Sequence, residues 1–249
     1  MNGVKIIVAA HKPYAMPQDG VYLPVHVGAA GKGPIGFVRD DTGDNISLRN
    51  ANWCELTGLY WAWKNLHADA VGLVHYRRHF KGKNGIITGG EVERLLEGHD
   101  VILPRPRNYF IETSYSQYAH AHHAGDLDAT RAVLVDRHPS YVAAFDASMK
   151  ARKGHRFNMF VMKRPLFDAY CSWLFDVLFE LERRLDLSGY SDYDARVFGF
   201  VGERLLDVWM AGAGVSSFVE LPVMHMESQN WPAKILRFLA RKFLKARRK

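Results

Sequence analysis

The sequence predicts one α/β domain with helical additions, and three short apolar runs predict it: Val4–Ala10, 70–74 and 100–103. Each ends abruptly in basic residues or proline, and helix-period segments lie between them. Continuous apolar strands alternating with helices are the pattern of a largely parallel sheet covered on both faces. The chain has 249 residues, 48% hydrophobic, 24% charged and 12% aromatic. That is the composition of a folded globular protein and excludes disordered, collagen-like and low-complexity classes.

Taken in order, Val4–Ala10 leads straight into His11-Lys12-Pro13. Residues 13–45 are rich in glycine, proline and aspartate (GAAGKGPIG, DDTGDN) and read as long irregular loops around one short strand. Such loops inside a compact domain usually carry function. Ser47 is a suitable N-cap, and Trp53, Leu56, Tyr60 and Trp63 recur at helical spacing, so 47–66 reads as one amphipathic helix. The strand at 70–74 delivers His75-Tyr76-Arg77-Arg78-His79-Phe80 at its carboxyl end. A short helix at 91–96 precedes the strand at 100–103, which stops at Pro104-Arg105-Pro106-Arg107. Helices follow at 116–135 and 140–151, broken at Pro139, then a strand at 156–162 and long helices at 164–185 and 192–210. A closing strand falls within 215–224, and a basic amphipathic helix starts at 231. No repeat or linker divides the chain, so the expected organisation is one domain at 1–230 and a tail at 231–249.

The formal net charge of +7 is concentrated at one end. Residues 231–249 hold eight bases and no acid, which leaves 25 Lys and Arg against 26 Asp and Glu in 1–230. A near-neutral body argues against nucleic acid as a partner. The tail sets Ile235, Leu236, Leu239, Phe243 and Leu244 mostly along one stripe, with bases around it and Trp231 at its start. That suits a helix lying on an anionic membrane surface, with a basic frayed terminus or RNA-touching arm as the alternative. Asp168 and Asp176 interrupt the most apolar stretch, so no uncharged run reaches the ~18 residues a membrane span needs. The two cysteines, Cys54 and Cys171, fall in helical apolar patterns. Buried free thiols in a reducing cytoplasm are therefore expected, without a disulfide framework. The opening residues read as a strand, not a secretion signal.

Ligands in open α/β sheets bind outside the carboxyl ends of the strands. This singles out His11 and Lys12 after the first strand, and His75, Tyr76, Arg77 and Arg78 after the second. Guanidinium offers paired donors to phosphate oxygens and imidazole adds another, so the cluster suits a diphosphate; a solvated basic loop is the alternative. Asp40, Asp41 and Asp44 could hold a ribose, a base or a metal, or be turn carboxylates, with Asp44 and Asn45 starting the helix. His120, His122, His123 and Asp126 tempt a metal assignment. Their spacing weakens it, because His122 and Asp126 share one helix face and His120 and His123 another, leaving surface or sugar-facing groups as the alternative. The D-x-D triplets Asp126/Asp128 and Asp192/Asp194 follow no strand and gain no metal role by position. Asn158, inside FNMFVM, must find hydrogen-bond partners or line a site. Glu203 and Arg204 begin the regular part of a helix after Gly199 and Gly202. A carboxylate there can act as a general base in a dry pocket, or simply satisfy the helix dipole.

Seven blocks in order, VAAHKPY, GDNISLRNANWCELTGLYWAWKN, GLVHYRRHF, DVILPRP, QYAHAHHAGDLDA, FNMFVMKRPLFDAYCSWLFDVLFELERR and GFVGERLLDVW, span about residues 4–226. Together they resemble a bacterial family first catalogued as a domain of unknown function in capsule and exopolysaccharide clusters, whose members are regarded as glycosyltransferases. The resemblance implies a GT-A-like fold, a Rossmann-type sheet with an acceptor half. It also implies transfer of galactose or galactofuranose from a UDP-sugar donor to a lipid-linked glycan acceptor in capsule, exopolysaccharide or O-antigen synthesis. The expected donor-binding residues are then His11, Lys12, Asp44, Asn45, His75, Tyr76, Arg77 and Arg78, with His122, Asp126, Asn158 and Arg204 facing sugar or acceptor. Glu203 is the first choice for the base that takes the acceptor hydroxyl proton and Asp194 the second; a retaining reaction would need neither. Where many GT-A enzymes carry a metal-binding D-x-D, this sequence has His75-Tyr76-Arg77. A divalent metal (Mn or Mg) is thus compatible but not required, because cations can neutralise the leaving diphosphate. The implied setting is cytoplasmic and peripheral to the inner face of the membrane through 231–249. The rival reading, from a different class, is a non-catalytic nucleotide-sugar- or glycan-binding subunit of a polysaccharide assembly complex.

Overall fold

A computed structural model describes residues 3–227; the helix expected from 231 lies outside the described residues. Strand β1 (Val4–Ala10) is buried from Ile6 onward, as its aliphatic run requires. The glycine-rich segment yields two strands where one was expected, β2 (Tyr22–His26) and β3 (Val38–Arg39). The helix expected over 47–66 is three pieces: a 3-10 turn at Ser47–Arg49, α1 (Asn50–Trp53) and α2 (Leu56–Asn65). Cys54 at the break has φ 53°, and Asn50 Nδ2 donates to its carbonyl at 2.6 Å. A side chain therefore interrupts this helix, not a glycine or proline. Next, β4 (Ala70–His75) turns through Tyr76-Arg77 into β5 (Arg78–Gly82), with His75 paired to Arg78, so the basic cluster is a tight hairpin.

Strand β6 (Gly85–Ile86), helix α3 (Gly89–Gly98) and strand β7 (Val101–Pro104) follow, α3 starting in a reciprocal Thr88–Glu91 capping box. Beyond them, β8 (Arg107–Asn108) precedes three helices, α4 (Ser114–Ala121), α5 (Ala124–Arg137) and α6 (Val142–Lys150), and then β9 (Lys153–Gly154), which pairs with β8 in a small ribbon. The helix expected over 116–135 is thus broken at His122-His123, and the shared face assumed for His122 and Asp126 does not exist. The strand expected at 156–162 is the shorter β10 (Phe160–Lys163), because Phe157 and Asn158 take φ 79° and 51°. The long helix α7 (Arg164–Arg184) comes where expected. Helix α8 (Val197–Gly212) starts only after a 3-10 turn at Asp194–Arg196, and the closing segment forms β11 (Phe218–Leu221) and β12 (Val223–His225), separated by Pro222.

The main path of the sheet runs β11-β7-β10-β4-β1-β2-β3, with β5, β6 and β12 branching from it. Strand β1 pairs in parallel with β2 and β4, whereas β10 is antiparallel to both β4 and β7. Side chains alternate across the sheet: Ile7, Ala9, Val71 and Leu73 join the large core under α2, α7 and α8, while Ile6, Val8, Ala70 and Val74 join a smaller one with Val92 and Leu96 of α3. From β1 the chain moves outward to β2 and β3, then returns to β4 on the other flank. Such a switch point opens a crevice at the carboxyl ends of β1 and β4.

Candidate active site

A cavity of about 740 Å³ opens at that edge. Its walls combine His11 after β1, the hairpin His75 to Arg78, Phe157 before β10, Glu55 between α1 and α2, and Glu203 and Arg204 of α8. Six arginines (77, 78, 107, 156, 196 and 204) face three glutamates (55, 112 and 203) across it, so the lining is built to meet an anion.

On the sheet side, Arg77 lies over the Tyr76 ring at 5.0 Å and 3.3 Å from Glu227. Arg78 stacks on Phe157 at 4.5 Å; burial lowers its proton affinity, and the nearby Glu203 opposes that effect. Strand β12 pairs with β5 and Met226 N donates to Arg77 O, so the hairpin is braced from outside. His11 meets the Tyr76 ring edge-on, and burial, then Arg77, push its pKa below 6.5. His75 turns inward: its Nε2 lies 2.5 Å from Phe157 O and 3.9 Å from Glu55 Oε1.

The floor is a strained bend. Asn158 is buried in a left-handed conformation, and its Nδ2 donates to Glu55 Oε1 at 2.6 Å and Gly199 O at 3.1 Å. Asparagine tolerates that backbone better than most residues. Glu55, its side chain only 12% exposed, was passed over by sequence reasoning; a lone carboxylate between Cys54 and Leu56 in an apolar helical pattern was the available signal. A Cβ on Gly199 would sit 3.2 Å from Cys54 Sγ, and one on Gly202 3.0 Å from Leu56 Cδ1. These glycines let α8 close against α1 and α2. Burial, then Glu55, push the Cys54 thiol up to about 11, which removes it as a nucleophile at neutral pH.

On the opposite wall, His120 Nδ1 lies 2.5 Å from the buried Glu112. His122 stacks on Phe200 at 4.2 Å and Tyr193 at 5.6 Å, with Nδ1 3.2 Å from Asp194. Two buried guanidiniums are fixed there. Arg204 donates to Phe200 O and Gln117 Oε1, and Arg156 is held by Tyr109, Ser114 and Asp207. Glu203, one quarter exposed, stands 3.7 Å from Arg204.

Of the residues singled out from sequence, His11, His75, Tyr76, Arg77, Arg78, His120, His122, Glu203 and Arg204 line this cavity. The others sit elsewhere. Lys12 Nζ lies 5.7 Å from the centre of the Tyr76 ring, and Asn158 and Asp194 stand behind the lining, holding Glu55 and His122. Asp44 accepts from Tyr60 and Asn45 from Ser47 N, so both organise the helix entrance. Asp126 is fully buried, accepting from Tyr118 and Tyr190, and burial raises its pKa; it ties α4 to the segment before α8. Asp40 is likewise structural, accepting from Gly28 N, Ala29 N, Ser47 and Thr57. Among the described residues, no three His, Cys, Asp or Glu side chains converge as metal ligands.

Comparison with known proteins completes the picture. The model of a family described as a domain of unknown function, DUF4422, matches residues 5–213. The chain is also similar to the apo structure of WbbM, a bifunctional glycosyltransferase, at 32% identity and a TM-score of 0.85. The likeness covers 91% of this chain and 46% of that one, so the chain spans about half the length of WbbM. It makes the fold GT-A-like. No curated protein sequence matches.

Proposed function

The chain belongs to the DUF4422 family, and from that premise we propose that it is a glycosyltransferase transferring a sugar from a UDP-sugar to a glycan acceptor. The observation that carries this reading is the arginine-rich cavity at the β1/β4 switch point with Glu203 in its wall. Arg77 and Arg78 would hold the diphosphate, taking the neutralising role that a metal has elsewhere. In a direct displacement, the acceptor oxygen bonds to the anomeric carbon while the bond to UDP breaks and its electron pair leaves on the diphosphate. The acceptor proton passes to Glu203. His122 and Arg204 would face the acceptor, with Asp194 orienting His122 and Asn158 orienting Glu55.

The sequence resemblance supports galactose or galactofuranose as the sugar and a lipid-linked capsule, exopolysaccharide or O-antigen glycan as the acceptor. No described helix is long and apolar enough to cross a membrane. The basic tail at 231–249 would bring the chain to the inner face of the membrane from the cytoplasm. The test measures UDP release from a panel of UDP-sugars with and without lipid-linked acceptors. Acceptor-dependent release from one donor is the expected result. UDP that binds but is never released from any donor would instead identify a non-catalytic binding subunit.

A further inference from the structure

The loop joining β8 to α4 carries an apolar tip at the cavity mouth. Tyr109 and Glu112 are buried and line the cavity, whereas Phe110 and Ile111 between them are 74% and 58% exposed. Phe110 is left-handed (φ 54°), its N–H donates to Asn108 Oδ1 at 2.9 Å, and Ile111 N and Glu112 N both donate to Tyr109 O. The tip is thus a built turn that holds two large apolar side chains in water. The β8–β9 pairing and the Tyr109 N to Arg152 O hydrogen bond bring segments 104–111 and 150–156 side by side. They contribute the exposed bases Arg105, Arg107, Lys150, Arg152 and Lys153, and neither segment contains an acid.

An apolar tip on a paired, base-rich ribbon fits the headgroup boundary of an anionic bilayer, where aromatic and aliphatic side chains enter and cations meet lipid phosphate. We propose that Phe110 and Ile111 insert into an anionic phospholipid bilayer and set the cavity mouth against it. This contact is separate from the tail. Its purpose rests on the reading above, since it would bring the mouth to the depth of a lipid-linked acceptor's sugar, but the insertion itself is measurable without turnover.

The full chain carrying Ile111→Cys is labelled with a polarity-sensitive maleimide dye, the wild-type chain serving as the background for Cys54 and Cys171. Vesicles of phosphatidylglycerol and phosphatidylcholine should shift the dye's emission to the blue, and pure phosphatidylcholine should not. The proposal is overturned if the protein sediments with the anionic vesicles while the dye stays unshifted, because the tail then carries the whole contact. A blue shift on adding a UDP-sugar without vesicles also overturns it, because the loop is then a lid. The unlabelled double variant Phe110→Ser/Ile111→Ser should lose about tenfold in vesicle affinity. Its UDP release with a water-soluble acceptor should match wild type; absence of release from both proteins would count against the transferase reading and leave the vesicle result to stand by itself.

Discussion

Glu203 and Arg77 share the cavity but answer to different experiments. Glu203 is partly exposed and, among the described residues, pairs with Arg204, so Glu203→Gln keeps the side-chain shape while removing the base. Turnover should fall by about 10²–10⁴ with donor affinity unchanged, as kcat and a UDP-sugar titration will read; retention of most activity would transfer the role elsewhere. Arg77 is half exposed and, among the described residues, bridges to Glu227 alone. Arg77→Ala should therefore leave the fold intact and weaken UDP binding by roughly 1.4–2.8 kcal/mol, ten- to a hundredfold in Kd by calorimetry. The position of Arg77 in the cavity wall was legible in the sequence because a basic cluster straight after a buried strand has nowhere to go but the sheet edge. Glu55 escaped because its helical neighbours are apolar and its purpose appears only when Asn158 and His75 arrive from distant segments. Asp44, Asn45 and Asp126 stand away from the cavity lining for the converse reason, since turn caps and buried tyrosine acceptors use the same residue types as ligand sites.

Among the elements, those with a continuous apolar pattern were legible: β1, β4, β7 and α7 fall within a few residues of expectation. The misses are places where tertiary contacts override pattern. Strand β2 hides among glycines and prolines and is recruited by pairing with β1, and the breaks at Cys54 and at His122-His123 contain neither glycine nor proline. Gly72 shows the same dependence on neighbours from within a legible strand. A Cβ there would lie 2.8 Å from Val161 Cγ2 and 2.9 Å from Phe160 O, so β4 needs glycine for β10 to pair so closely. Gly72→Ala should destabilise the chain by about 1–3 kcal/mol in urea unfolding, with the m-value unchanged. Because β10 is preceded by the bend that holds His75 and Glu55, the same variant should lower activity even under conditions where it remains folded. Wild-type stability would show that β10 shifts freely, and the rigid floor inferred for the cavity would lose its basis.

At the scale of the whole molecule, the histidines give stability a definite pH profile. His79 is fully buried beside Tyr22, and burial, outweighing a backbone hydrogen bond at Tyr76, pushes its pKa from 6.5 down to about 4. The unfolded chain therefore binds a proton between those values that the folded chain refuses. Stability is fully present above pH 6.5 and falls as the pH drops towards 4, by about 3 kcal/mol for this residue. His11 and His26, whose pKa values burial also lowers, act in the same direction. His155 has the opposite sign: burial would lower its pKa, but hydrogen bonds and charge from Asp207 and Glu220 outweigh it and raise the net value. Its contribution is complete below 6.5 and is lost as the pH rises through its folded value, so it cannot offset the acid-side loss. Urea midpoints measured from pH 8 to pH 4.5 should thus decline steadily below pH 6.5, and His79→Phe should flatten the decline by up to about 3 kcal/mol at its acid end. A variant profile parallel to wild type would mean that His79 is protonated in the folded core, and that strand β5, which it anchors beneath Arg78, is looser than its burial implies.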